Sequence, residues 1–117
     1  MTEAFKILSR PEWEAAQAAG AFDGSEVDRR DGYIHLSTAA QLVETARRHF
    51  ADRSDLVLLT VPLEPLGDAI RWEPSRGGDL FPHLYGPLPT SAVTDERAFS
   101  VSPEGEMRFA DGGGAWA

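Results

Sequence analysis

The sequence contains no cysteine. Disulfide bonds, thiolate metal sites and thiol nucleophiles are therefore excluded. Long apolar runs are also missing: the longest, Leu56–Leu59, is far shorter than the roughly 20 residues that a membrane-spanning helix needs. The first residues, MTEAFKILSR, do not place an apolar run after a basic region, so we expect no signal peptide and a cytoplasmic protein.

Basic residues are scarce. The chain has 11 Lys and Arg against 19 Asp and Glu, a formal net charge of −8. Nucleic acids and anionic membranes are bound mainly through Lys and Arg, so we expect neither as a partner. A small-molecule ligand remains compatible with this charge, including an anion held by a few local arginines.

The length and composition predict one domain. A chain of 117 residues with 42% hydrophobic content falls in the usual range for a single compact domain. We assign that domain to residues 1–110. Residues 111–117 contain three consecutive glycines and are predicted to form a flexible tail.

Two capping-box patterns predict two main helices early in the chain. The first helix begins after Ser9, with Glu12 three residues later, and ends near Gly20. The second begins after Thr38, with Gln41 three residues later. Residues 21–30 between them are polar and irregular in pattern, and we predict a surface loop there.

Strand patterns dominate the later part of the chain. The continuous apolar run Asp55–Leu63 predicts a central strand buried on both faces. Ala69–Trp72 is a short alternating strand, with Trp72 predicted to lie in the core. Phe99–Val101 and Met107–Phe109 flank a turn and predict a hairpin. Early helices followed by strands indicate an α+β fold.

Two further strands are each predicted to present a histidine beside a tyrosine on one face. They are Asp31–Thr38 (DGYIHLST), with Tyr33, His35 and Ser37 on that face, and Phe81–Gly86 (FPHLYG), with Phe81, His83 and Tyr85. An imidazole can hold a ribose hydroxyl or relay a proton near neutral pH. A tyrosine adds a flat apolar face and a hydroxyl. We therefore select His35 and His83 as candidate catalytic residues.

Four neighbouring residues join Tyr33 and Tyr85 as candidate ligand-binding residues. Ser37 and Thr38 place hydroxyl groups at a helix start, where backbone N–H groups also favour anionic oxygens. Arg71 and Arg76 precede the second histidine and would supply charge for a phosphate. A structural reading stays open, because strand histidines often bond backbone carbonyls and surface arginines are often only solvated.

Other chemistries have weaker support. A metal held by His35, His83 and a carboxylate such as Asp31 or Asp79 lacks a recognisable ligand spacing, so we expect no metal. Ser37 is not flanked by the glycines of a nucleophile elbow. No phosphate-binding loop or dinucleotide-binding glycine fingerprint occurs.

The order FKIL, DGYIHLSTAAQL, a buried strand and LFPHLYGPLP resembles a bacterial family, domain of unknown function 952. The resemblance covers residues 4–100, and it implies a fold similar to the ADP-ribosyltransferases. The IHLST segment also looks like the HLS-containing strand of RNA 2′-phosphotransferases. Both relatives bind NAD in a cleft between two small, mostly antiparallel sheets.

This resemblance implies NAD as a substrate for ADP-ribosyltransferase-like transfer. It places His35, Ser37 and Thr38 at ribose and nicotinamide contacts, with His83 and Tyr85 on a second strand facing the same cleft. ADP-ribosyltransferases also carry a catalytic glutamate on a late strand, and Glu96 and Glu104 are only loose candidates for it here. Two alternatives stay open: a non-catalytic module that binds a small metabolite, and a structural or interaction domain.

Overall fold

The computed structural model describes residues 2–111, and at residue 76 the backbone alone. Within that range the α-helices are α1 (Arg10–Ala19), α2 (Glu26–Asp31) and α3 (Ala39–His49). The strands are β1 (Glu3–Ser9), β2 (Ala21–Phe22), β3 (Ile34–His35), β4 (Leu56–Pro62), β5 (Ile70–Pro74), β6 (Leu80–Leu84), β7 (Leu88–Pro89), β8 (Asp95–Val101) and β9 (Met107–Phe109). Short 3-10 helices cover Glu64–Ala69, Arg76–Gly78 and Thr90–Ala92.

The strands form antiparallel sheets. The larger sheet has the order β1-β4-β8-β9, the second has the order β3-β6-β5, and β2 pairs with β7. A bridge between Phe5 and Ser37 links the first two sheets: each residue's N–H donates to the other's carbonyl, at 2.8 and 2.9 Å. The predicted α+β class with antiparallel sheets is confirmed.

Strand β4 is buried on both faces, as its continuous apolar run predicted. Alternate side chains of a strand point to opposite faces of the sheet. Leu58 shares one core with Leu42 of α3, and Leu59 shares the other with Trp13 of α1. The larger sheet therefore carries α3 on one face and α1 on the other.

Both predicted capping boxes are present. The Ser9 hydroxyl accepts from the N–H of Glu12 at 3.2 Å, and the Glu12 carboxylate accepts from the N–H of Ser9 at 2.9 Å. Thr38 and Gln41 make the equivalent bonds at 3.3 and 3.0 Å. Gly20 ends α1 in the left-handed conformation, with φ 90°.

The prediction of a surface loop over residues 21–30 is wrong. Its first two residues form β2, and Glu26–Asp31 forms α2. A third capping box starts this helix: Ser25 accepts from the N–H of Asp28, whose carboxylate accepts from the N–H of Ser25. The Ser-x-x-Asp pattern was visible in the sequence, but no apolar stripe follows it.

The predicted strand over Asp31–Thr38 is shorter than expected. Asp31 is the last residue of α2, and Gly32 ends that helix with φ 89°, a conformation that favours glycine. Strand β3 is confined to Ile34–His35, with an isolated bridge at Ser37. Asp31 and Gly32 thus end a helix instead of beginning the strand.

Trp72 and the C-terminal tail were also the subject of predictions. Trp72 is 43% exposed, so its assignment to the core is wrong; it lies on β5, the edge strand of the second sheet. Of the predicted tail, residues 112–117 lie outside the described residues. Among residues 2–111, no helix is long and apolar enough to cross a membrane.

Candidate functional site

The second sheet brings His35 and His83 together. The two residues are directly paired in the antiparallel register of β3 and β6. Directly paired residues project from the same face of a sheet. Their ring centroids lie 5.7 Å apart, with the rings edge to face at 69°. The convergence expected from two separate motifs is therefore produced by strand pairing.

Two tyrosines complete what we call the histidine cluster, made of Tyr33, His35, His83 and Tyr85. Tyr33 stacks on His83, with ring centroids 4.1 Å apart and planes 24° apart. It also contacts the rings of His35 and Tyr85, at centroid distances of 4.7 and 5.2 Å. The guanidinium of Arg71 lies 4.8 Å above the ring of Tyr85. Tyr33 is thus the central ring of the cluster.

Helix α2 supplies two carboxylates to His35. The Nδ1 atom lies 2.6 Å from Oδ1 of Asp28, and the Nε2 atom lies 3.0 Å from Oδ2 of Asp31. Asp28 Oδ1 also accepts the backbone N–H of His35 at 3.1 Å. An ionised carboxylate only accepts hydrogen bonds, so both ring bonds exist together when the imidazole is protonated.

A buried lysine contacts both His35 and Asp28. The Nζ atom of Lys6, on β1, is 2.8 Å from Oδ2 of Asp28 and donates to the carbonyl of His35 at 3.1 Å. Burial lowers the pKa of Lys6, and Asp28 acts in the opposite direction. Burial would raise the pKa of Asp28, but the hydrogen bond from His35 and the charge of Lys6 outweigh it and hold that pKa well below its usual range.

Strand β5 supplies a third carboxylate. Oε1 of Glu73 lies 2.8 Å from Nδ1 of His83, and it accepts the hydroxyl of Tyr85 at 2.8 Å. The hydrogen bond from His83, followed by that from Tyr85, lowers the pKa of Glu73. The same bond to Glu73 raises the pKa of Tyr85. Glu73 is therefore an ionised partner of both residues.

The histidine cluster and its carboxylate partners are buried on the side facing the protein interior and open to solvent at the rim. The side chains of Asp28 and His83 are 2% and 3% exposed. Those of His35, Asp31 and Glu73 are about one-third exposed, and Tyr85 is exposed. A ligand can therefore reach the rim side chains without displacing the buried ones.

The remaining predicted residues have other surroundings. Ser37 is buried and its hydroxyl is 3.0 Å from that of Thr45, while the Thr38 hydroxyl caps α3. Both hydroxyls are thus used within the fold, and their part in ligand binding stays a prediction. Arg71 lies on the cluster, whereas the side chain of Arg76 lies outside what the structure describes.

The two loose candidates for a catalytic glutamate lie elsewhere. Glu96 accepts from Nε1 of Trp13 at 2.8 Å and is paired with Arg10 at 3.7 Å. It lines a groove of about 570 Å³ to which none of the histidine cluster residues contributes. Glu104 lies in the exposed turn between β8 and β9.

Sequence reasoning missed Lys6, Asp28 and Glu73. A lysine within an apolar strand and an aspartate in a capping-box position were signals for the first two. Glu73 precedes Pro74 in an unremarkable stretch, and only the pairing of β5 with β6 brings it to His83. Among the described residues, no group of three or more His, Asp or Glu side chains is arranged to hold a metal ion.

These observations define an α+β protein with antiparallel sheets and a carboxylate-supported pair of histidines on the second sheet. The chain belongs to the family described as protein of unknown function, DUF952, which matches residues 7–96. The family resemblance inferred from the two histidine motifs is therefore confirmed. None of the curated proteins matches the chain.

Solved structures of protein CC0527 from Caulobacter crescentus are similar over almost the whole chain. Its crystal structure is 51% identical, covers 92% of this chain and 94% of its own, and has a TM-score of 0.87. A methionine double mutant of CC0527 gives 50% identity with the same coverage and TM-score. The solution structure gives 53% identity, 90% coverage of each chain and a TM-score of 0.79.

Proposed function

We propose that the histidine cluster binds a nucleotide of the NAD type and supports ADP-ribosyltransferase-like transfer from it. The observation that carries this proposal is the convergence of His35 and His83 with two tyrosine rings at a surface-open site. Such a site combines flat apolar faces with polar groups that can orient a ligand.

The cluster residues suit the separate parts of such a ligand. Tyrosine rings provide stacking surfaces for a nicotinamide or adenine ring. An imidazole nitrogen can donate a hydrogen bond to a ribose hydroxyl or accept one from it. Arg71, beside Tyr85, adds a positive charge within reach of a phosphate at the rim.

Glu73 is the best candidate for the catalytic carboxylate. Cleavage of the nicotinamide bond develops positive charge at the anomeric carbon, which a fixed carboxylate stabilises. Glu73 bonds two members of the cluster, and its Oε2 makes no hydrogen bond to any residue that the structure describes. Glu96 instead bonds Trp13. Asp31 adds a second, part-exposed carboxylate beside His35.

The sheet architecture also favours this proposal. A four-stranded and a three-stranded antiparallel sheet, linked through the Phe5–Ser37 bridge, fit the two-sheet arrangement of the ADP-ribosyltransferase-like fold. Fold alone does not determine function, so the cluster, more than the sheets, supports the proposed activity.

A second candidate function is the binding of a small metabolite without turnover. Both ring nitrogens of His35 lie within hydrogen-bonding distance of carboxylates, one of them the buried Asp28. A histidine held in this way contributes to a binding surface more readily than to proton transfer. The two functions share one site and differ in whether nicotinamide is released.

Calorimetric titration with NAD and with ADP-ribose tests the proposal. We expect binding by the wild-type protein, loss of binding in the double variant His35→Ala/His83→Ala, and retention in His49→Ala, a histidine on α3. Release of nicotinamide would identify the transferase, and binding without release the metabolite-binding module. Absence of binding to either ligand at millimolar concentration would refute the NAD proposal.

A further inference from the structure

We propose that Glu73 also positions His83: its Oε1 fixes the tautomer of that ring, so that Nε2 of His83 acts as a base toward an oxygen nucleophile, while Oε2 stays free for the electrostatic role proposed above. This inference rests on the proposed function for the identity of the electrophile. It adds the class of the second substrate, which is a hydroxyl group or water.

The contact between His83 and Glu73 determines which ring nitrogen carries the proton. An ionised carboxylate can only accept, so the 2.8 Å contact requires a proton on Nδ1. In the neutral ring the other nitrogen, Nε2, then has a free electron pair. The Tyr85 hydroxyl donates to the same oxygen of Glu73 and helps to fix its position.

The Nε2 atom of His83 is available to a ligand. It makes no hydrogen bond to any residue that the structure describes. Among those residues, no buried side-chain nitrogen or oxygen lacks a hydrogen-bond partner. Nε2 is therefore not fully enclosed, although the side chain as a whole is 3% exposed. Stacking on Tyr33 at 4.1 Å holds the ring plane in place.

His35 does not meet the same requirements. Its Nδ1 contacts Asp28 and its Nε2 contacts Asp31, so both nitrogens are already engaged by carboxylates. The network through Asp28 and Lys6 ties β3 to α2 and β1. The two histidines of the cluster thus differ: His35 is held between carboxylates, and His83 has one open nitrogen.

The proposed step exchanges one bond at the anomeric carbon and moves one proton. Nε2 of His83 takes the proton of a bound hydroxyl group or water, and the oxygen attacks the anomeric carbon of the nicotinamide ribose. A C–O bond forms while the C–N bond breaks, and its electron pair leaves with the nicotinamide nitrogen, which becomes neutral. The proton then passes from His83 to solvent, and no oxidant or reductant is needed.

The tautomer is measured on the full chain labelled with ¹⁵N-histidine, by long-range ¹H–¹⁵N correlation at a pH where the ring is neutral. We expect the proton of His83 on Nδ1. Glu73→Gln, whose amide can donate to Nδ1, should move the population toward the Nε2-protonated tautomer. Glu44→Gln, which removes a surface carboxylate on α3, should leave it unchanged.

A wild-type spectrum with the proton on Nε2, or a tautomer indifferent to Glu73→Gln, would overturn the proposal. The wild-type spectrum alone decides the tautomer if the variant does not fold. Neither measurement needs NAD, so failure of the proposed function would be seen separately, in the calorimetry.

The role as a base is tested by nicotinamide release. We expect His83→Gln to slow release by roughly 10²- to 10⁴-fold, the range for general base catalysis, with a much smaller change in NAD affinity. In the wild-type protein, added methanol should yield methyl ADP-ribose. Release at the wild-type rate in His83→Gln, or the absence of any methanol adduct, would contradict the role.

Discussion

At the scale of single residues, the site depends on Asp28. Its carboxylate bonds the N–H of Ser25, the backbone and ring of His35, and the ammonium of Lys6. One side chain therefore starts α2, orients a candidate catalytic histidine and neutralises a buried charge. A buried carboxylate with this many polar partners should be sensitive to any change.

We predict that Asp28→Asn lowers the free energy of unfolding by about 3–5 kcal/mol, because it leaves the buried Lys6 without its counter-charge. Urea denaturation monitored by circular dichroism measures this change. Asp68→Asn, at an exposed position, is the matched control and should change stability by less than about 0.5 kcal/mol. Equal stability of the two variants would contradict the proposed role of the Lys6–Asp28 pair.

The same residue makes stability depend on pH. The pKa of Asp28 is lower in the folded protein than its usual value of about 3.9, so the unfolded chain takes up a proton first as the pH falls. Its contribution is present above about pH 4 and is lost below it. Unfolding measured from about pH 6 to pH 3 should show a shallower acid loss for Asp28→Asn. Glu73, whose pKa is also lowered, keeps part of the pH dependence of stability in both proteins. An identical pH dependence of stability in the two proteins would contradict the role of Asp28.

At the scale of elements, α1 and α3 could be predicted because each combines a capping box with apolar residues at helical spacing. Helix α2 was missed because it has six residues and no apolar stripe to distinguish it from a polar loop. The pairing of His35 with His83 was only suggested by the two motifs. The carboxylates that bond the two histidines reach them only through tertiary packing, and a local sequence pattern carries no information about that packing.

Helix α3 allows the two roles suggested for Thr38 to be separated. Thr38→Ala removes the N-cap and should cost about 1 kcal/mol in thermal or urea unfolding. Ser9→Ala removes the equivalent cap of α1 and should cost a similar amount. If Thr38 acts only as a cap, NAD affinity should match that of Ser9→Ala. A selective loss of affinity in Thr38→Ala would instead place its hydroxyl at the ligand.

At the scale of the whole molecule, β4 connects two cores, and the second sheet presents the site. Leu59 is fully buried in the core that also contains Ile34 and Leu84, the paired neighbours of the two histidines. The sequence predicted this central strand because an uninterrupted apolar run needs cover on both faces. It did not predict that the second sheet would share its core.

We predict that Leu59→Ala costs about 2–5 kcal/mol, since it leaves a cavity in that shared core. Val43→Ala is the control, because Val43 is 48% exposed on α3 and should change stability little. Urea denaturation of both variants measures the difference. Comparable effects at the two positions would contradict the assignment of β4 as the central buried strand.

An NMR titration of the ¹⁵N- and ¹³C-labelled protein with NAD tests most directly whether the histidine cluster is the nucleotide site. We expect chemical-shift changes to concentrate on the rings of Tyr33, His35, His83 and Tyr85. Changes confined to the groove beside Trp13, or no changes at millimolar NAD, would contradict the claim that the histidine cluster is the nucleotide site.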